Sequence, residues 1–244
     1  MNAPAAHLPQ AVIAHRLGAA LGPENSLQAC RDALRAGFRA FECDVKLSAD
    51  GEAFLLHDDS LLRSHGCPLR ASALPWGWLR ALTGGAPLAS LRELRDCLRE
   101  CPEPIWLNLE IKVDDDACAA LQTSWGQRIA QQAAALWRDA PPPLLSSFSL
   151  PALQGAEAAA PRLPRAWLCD HLPDAWHGAA QTLRLSALHL AAAGCAAADL
   201  AQLRTAGLQA RVYTVNDPAQ LRRWLDAGAQ GVFTDAVPPA GTLE

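Results

Sequence analysis

Residues 41–58, FECDVKLSADGEAFLLHD, place two carboxylates and a histidine at spacings that suit chemistry. Phe41, Cys43, Val45 and Leu47 alternate with Glu42, Asp44 and Lys46, the period-two pattern of a strand. Side chains two apart on a strand share a face, so the pattern brings Glu42 and Asp44 together. Like charges side by side repel unless something positive sits between them. The pair therefore suits an oxygen-liganded divalent cation, although the wet face of an edge strand would show the same pattern. Ala-Asp-Gly at 49–51 signals a turn. The apolar run that follows delivers His57, ahead of Asp58 and Asp59, and so places an acid/base group beside the carboxylates.

The elements that must position these residues recur along the chain. Strand patterns fall at 11–15, 40–47, 104–112, 143–148, 165–170, 186–191, 208–215 and 230–235, mostly separated by helical spacing. The first helix is SLQACRDALRAGF, capped by Asn25 or Ser26 and stopped at Gly37. A long amphipathic helix is expected over 116–139. Residues 60–89, broken by Pro68, Pro75, Gly77, Gly84, Gly85 and Pro87, read as a small irregular insertion over one end of the fold. Eight strand–helix repeats indicate an α/β fold, a parallel TIM (β/α)8 barrel formed by the chain as a single domain, 1–244. An open doubly wound sheet would be favoured by G-x-G-x-x-G after the first strand, which the sequence lacks.

In such a barrel, active groups sit at the C-terminal ends of strands. His15 and Arg16 end the first strand, Glu42 and Asp44 lie late in the second, and Glu110 and Lys112 end the third. Ser147 and Phe148 end the fourth, and His189 lies in the sixth. Tyr213 and Asn216 fall at the end of the seventh, and Asp235 at the end of the eighth. These polar residues converge on one mouth. Of the 21 basic residues, only Lys46 and Lys112 are lysines, which gives Lys112 added weight as a residue with a specific task.

A net charge of −4 gives no basic footprint for nucleic acid or for an anionic membrane. MNAPAAHLPQ lacks the basic and apolar regions of a signal peptide, and the alanine-rich stretches are too short and too interrupted to span a bilayer. Eight scattered cysteines without C-x-x-C are expected to be reduced thiols in a cytoplasmic protein.

His-Arg followed by PENS, then ECDVKLSADG, LLHDDSLLRS, LNLEIK, VYTVN and GVFTDA resembles the glycerophosphodiester phosphodiesterase family, most of all its short cytoplasmic bacterial enzymes. The likeness runs from about residue 12 to about 237. It implies a TIM barrel with a small insertion after the second strand, in agreement with the strand count. It also implies that Glu42, Asp44 and Glu110 hold one divalent cation, Mg²⁺ or Ca²⁺. His15 and His57 are then the acid/base pair, with His15 favoured as the base and His57 as the acid. Arg16 and Lys112 grip the phosphate, Phe148 and Tyr213 line the substrate's site, and His189 is a candidate for the glycerol hydroxyls. Glu24 and Asn25 either orient these groups or serve as a loop charge and a helix cap. Arg63 is expected on the insertion's rim, away from the chemistry. The family usually has Gly where this chain has Leu17, which bears on the backbone path near the phosphate.

The implied reaction is hydrolysis of a small-molecule glycerophosphodiester, such as glycerophosphocholine or glycerophosphoethanolamine, to glycerol 3-phosphate and an alcohol. A lysophospholipase D is the alternative among enzymes; it would need an apolar groove, for which Trp76, Trp78 and Leu79 are available. A barrel that binds such diesters without cleaving them would be marked by a missing ligand or histidine. All five are present.

Overall fold

The structure, a computed structural model, describes residues 11–84 and 88–238. The N-terminal decapeptide and two of the expected chain breakers, Gly85 and Pro87, lie outside the described residues. The parallel strands are β1 (Val12–Ala14), β2 (Ala40–Leu47), β4 (Trp106–Ile111), β5 (Leu144–Ser147), β6 (Arg165–Cys169), β7 (Ala187–Ala191), β8 (Gln209–Tyr213) and β9 (Gly231–Thr234). They pair in chain order, and β9 returns to β1 while β1 pairs with β2, which closes an eight-stranded barrel. A short strand, β3 (Ala53–Leu55), runs antiparallel to the far end of β2, with Val45 opposite Leu55.

The surrounding helices are α1 (Leu27–Arg35), α4 (Leu91–Arg99), α5 (Ala119–Leu136), α6 (Leu150–Ala159), α7 (Trp176–Thr182), α8 (Ala197–Thr205) and α9 (Pro218–Asp226). Ser26, not Asn25, caps α1, by accepting from the Ala29 amide at 3.1 Å. Two glycines let α5 and α6 pack backbone to backbone. A Cβ at Gly126 would lie 1.9 Å from the Ala152 carbonyl oxygen, and one at Gly155 would lie 2.0 Å from that of Thr123. No helix among the described residues is long and apolar enough to cross a membrane.

Both faces of β2 are buried, which removes the wet-edge alternative. Phe41, Cys43, Val45 and Leu47 pack outward under the helices. Inside the barrel, Ile13, Ala40 and Phe233 meet Trp106 and Tyr213, while Leu144, Ala166 and Ala187 fill around Trp106. Arg211 stacks on the Trp106 ring at 4.6 Å. Apolar side chains and the Arg211 guanidinium thus floor the barrel beneath its mouth.

The insertion is more ordered than its prolines and glycines suggest. It carries α2 (Leu62–His65), a 3-10 turn (Ala71–Ala73) and α3 (Trp76–Leu82). Its small core contains Phe54, Leu56, Leu61, Ala71, Leu79 and Leu88, with Trp76 packed against it. This packing takes up two of the three residues available to line an apolar groove for an acylated substrate. Leu79 is buried and Trp76 lies against Phe54, so of the three residues only Trp78 is exposed. Lys46 pins this insertion to the barrel. Its fully buried Nζ donates to Asp59 Oδ1 at 2.6 Å and to Asp114 Oδ1 at 2.8 Å, and the Ser72 hydroxyl donates to Asp114.

Removing one partner of a buried ion pair leaves an uncompensated charge. Lys46→Met should accordingly lose about 3–5 kcal/mol of stability in urea unfolding. A loss below about 1 kcal/mol, the size expected of an exposed pair, would contradict the clamp.

Candidate active site

β1 hands His15 to a 3-10 turn (His15–Leu17) in which Arg16 (φ 49°) and Leu17 (φ 64°) adopt left-handed backbone. For a residue with a side chain this conformation costs roughly 1–2 kcal/mol. The Arg16 amide donates to Glu42 Oε2 at 2.8 Å, and its carbonyl accepts from the Asn25 amide at 2.8 Å. Leu17 is fully buried in the core between barrel and helices. The leucine at this position therefore stays out of the cavity lining.

The two-residue spacing on β2 and the parallel register of β4, with Asp44 opposite Glu110, bring three carboxylates together. Glu42, Asp44 and Glu110 are all buried, and their ligand oxygens lie within 4.8 Å of one another. Asn25 orients the middle one: its Nδ2 donates to Asp44 Oδ2 at 2.8 Å, and its Oδ1 accepts from the Asp44 amide at 3.0 Å. Lys112 Nζ lies 3.0 Å from Glu110 Oε1 and 3.8 Å from Asp44 Oδ1. Arg16 Nε lies 3.7 Å from Asp44 Oδ2, while its NH1 donates to Glu24 at 2.9 Å. Burial, and then the charge of Asp44, push Glu42 up to about 8; burial likewise raises Glu110. For Lys112, burial alone would lower the ammonium, but Glu110 and Asp44 outweigh it and raise it.

Each candidate acid/base histidine is held through Nδ1 by an aspartate. His15 Nδ1 lies 2.7 Å from Asp235 Oδ1, and His57 Nδ1 lies 2.7 Å from Asp58 Oδ1. Such contacts fix ring orientation and tautomer. Burial acts to lower His15, but the Asp235 hydrogen bond and the charges of Glu42, Asp235 and Asp44 raise it to about 9. Asn216 steadies Asp235 by accepting from its amide at 2.8 Å. The sequence pattern marks Asp235 and Asn216 only as strand-end polar groups; the pairing of Asp235 with His15 spans nearly the whole chain and leaves no local signal.

Most of the charged groups, though not Asp44 itself, open on one cavity of about 250 Å³. Its polar lining, from the β1 to β4 side, is His15, Arg16, Glu42, His57, Asn108, Glu110 and Lys112. Its apolar lining, from the β5 to β9 side, includes Phe148, Leu168, Tyr213 and Phe233. Phe148 meets Tyr213 edge-on at 6.0 Å, and the Tyr213 hydroxyl donates to the Cys169 carbonyl at 3.0 Å. His189 does not join them. It is fully buried on β7, its ring 5.0 Å from that of Phe233, and neither ring nitrogen has a hydrogen-bond partner among the described residues. Burial, then the nearby Arg211 charge, holds it neutral, far below its ordinary value. As placed, it offers no contact to a ligand in the cavity.

Arg63 departs most from expectation. Although half-exposed, it bonds both Asp58 and Glu24 and so stands next to two of the groups described above.

Residues 15–238 match the model of the glycerophosphoryl diester phosphodiesterase family. The chain is 28% identical over 234 residues to a Mycobacterium tuberculosis protein named probable glycerophosphodiester phosphodiesterase 2, covering 87% of this chain and 82% of that one. A phosphodiesterase from Oleispira antarctica, solved in complex with the product sn-glycerol-3-phosphate, superposes with a TM-score of 0.80 at 26% identity, covering 93% of each chain. A Thermotoga maritima glycerophosphodiester phosphodiesterase shares the fold at a TM-score of 0.73 and 24% identity, over 95% of this chain and 96% of that one. The chain belongs to the glycerophosphoryl diester phosphodiesterase family, and with it to the phosphoric diester hydrolases.

Proposed function

We propose that this chain, acting as one barrel domain, hydrolyses glycerophosphodiesters such as glycerophosphocholine or glycerophosphoethanolamine to glycerol 3-phosphate and an alcohol. The observation that carries this reading is the convergence of Glu42, Glu110, two aspartate-held histidines, Arg16 and Lys112 on one cavity, with the Asp44 carboxylate beside the other two. The glycerol 3-phosphate bound by the Oleispira relative is the product this reaction would leave.

The carboxylates fit a hard divalent cation, Mg²⁺ or Ca²⁺. Glu42 Oε1 and Asp44 Oδ1 are buried without hydrogen-bond partners among the described residues, and oxygen is the donor such ions take. Glu42, Asp44 and Glu110 would hold it, and a cation there supplies charge neutralisation and polarisation at a phosphoryl oxygen. Arg16 would meet the phosphate with its planar fork and Lys112 as a point charge. In its neutral form His15, with Nδ1 on Asp235, takes the proton of the nucleophile, whether water or the substrate's neighbouring hydroxyl; the Glu42 and Asp44 charges that help raise it to about 9 are ones a bound cation would offset. His57, with Nδ1 on Asp58, protonates the departing alkoxide, which is too basic to leave unaided. In-line displacement needs these two on opposite sides of the phosphorus. Phe148 and Tyr213 offer the carbon-rich part of the substrate an apolar wall.

A side-by-side assay of glycerophosphocholine and a lysophospholipid, with and without EDTA, tests the function. The first should be cleaved, lose turnover in EDTA and regain it with Mg²⁺ or Ca²⁺. Preference for the acylated substrate would make the chain a lysophospholipase D, and binding of both without cleavage a non-catalytic barrel.

Lys112→Ala should lose roughly 2–4 kcal/mol of transition-state stabilisation in kcat/KM, the scale of one lost charge-assisted contact to the reacting group. Turnover within a few-fold of wild type would remove the clamp role.

The histidines separate by leaving group. His57→Ala should fail on glycerophosphocholine yet recover much of its rate on a nitrophenyl ester of glycerol phosphate, because nitrophenolate leaves without a proton. His15→Ala should be poor on both. Recovery by His15→Ala instead would exchange the two roles.

A further inference from the structure

We propose that Arg63 is a positioning residue that holds His57 and Arg16 in one frame by bridging Asp58 and Glu24. The proposal rests on the reading of His57 as the acid and Arg16 as a phosphate ligand. Arg63 is spread across two carboxylates. Its Nε donates to Asp58 Oδ2 at 2.5 Å and its NH2 to Asp58 Oδ1 at 3.0 Å. Its NH2 also donates to Glu24 Oε1 at 2.5 Å, and its NH1 to Glu24 Oε2 at 3.0 Å. Asp58 Oδ1 is the atom that meets His57 Nδ1, and Glu24 Oε2 is the atom that receives Arg16 NH1 at 2.9 Å. One guanidinium therefore fixes the two oxygens on which the acid and the phosphate ligand depend.

The bridge also joins parts of the fold that lie far apart along the chain. Glu24 lies in the loop after β1, Asp58 follows β3, and Arg63 belongs to α2 of the insertion. The hydrogen bond of Arg63, working against burial and helped by His57, holds Asp58 down at about 2, so its side of the bridge stays charged. Arg63 is 51% exposed, and exposed ion pairs contribute little to stability. Its role is accordingly geometric. Lysine cannot substitute, since one ammonium does not present two parallel pairs of donors.

The test is steady-state kinetics of Arg63→Gln, Arg63→Lys, Asp58→Asn and Glu24→Gln on glycerophosphocholine and on the nitrophenyl ester, with His57→Ala as reference. Arg63→Gln should lose kcat on the order of 10- to 100-fold on glycerophosphocholine, the scale of a misplaced catalytic group. Its kcat on the nitrophenyl ester should fall far less, while KM rises on both substrates. Asp58→Asn should show the selective kcat loss alone, and Glu24→Gln the KM rise alone. Arg63→Lys should restore neither. These two single-arm variants carry the test if Arg63→Gln does not fold. Kinetics of Arg63→Gln within about threefold of wild type on both substrates would overturn the proposal. So would equal kcat losses on the two substrates while His57→Ala remains selective. Equal losses for His57→Ala itself would overturn the acid assignment on which the proposal depends.

Discussion

Three carboxylates confined to a dry barrel mouth are the constraint around which the rest of the site is arranged. Two unit charges within 4.8 Å repel by about 3 kcal/mol or more at an effective dielectric near 20. The strands leave these groups no retreat, because Glu42 and Asp44 share a face of β2 and β4 places Glu110 opposite Asp44. The protein answers with the Arg16 amide on Glu42, the Asn25 side chain on Asp44 and the Lys112 ammonium on Glu110. One oxygen of Glu42 and one of Asp44 still lack hydrogen-bond partners among the described residues. A buried anionic group left in this state is poised for a cation.

Around that centre the charges are distributed over several networks. Lys46 continues the face that carries Glu42 and Asp44, yet its ammonium turns to Asp59 and Asp114 and fastens the insertion. Asp235 takes His15, Asp58 takes His57, and Glu24 takes Arg16. The helical layer matters less for chemistry than for rigidity. The close α5–α6 contact through Gly126 and Gly155 ties together two helices, of which α5 backs β2 and β4 and α6 backs β5 and β6.

Local periodicity explains what was legible in the sequence. Eight strands and their helices follow from alternation and from caps, both of which act over a few residues. The same alternation sets Glu42 beside Asp44, and the position of strand ends locates the mouth. Contacts between distant parts of the chain leave no such pattern. The Asp235 hold on His15, the Arg63 link to Glu24 and the burial of Lys46 all depend on barrel closure or on how the insertion folds back. The insertion misleads for a related reason: its prolines and glycines mask a small core whose members, Phe54 and Leu79 among them, come from separated turns. His189 shows the opposite difficulty. Its place on a strand is readable, but its depth below the cavity is set by the registers of β6, β7 and β8.

Thermal unfolding of Glu42→Gln in EDTA and in saturating Mg²⁺ or Ca²⁺ tests the central claim most directly. Glutamine keeps an acceptor for the Arg16 amide while removing the charge that burial and Asp44 most disfavour. The wild type should melt higher with cation than in EDTA. The variant should melt at or above the wild type in EDTA and gain nothing from either cation. A variant that melts well below wild type in EDTA, yet still rises with cation, would contradict a carboxylate cluster built to be neutralised by a metal.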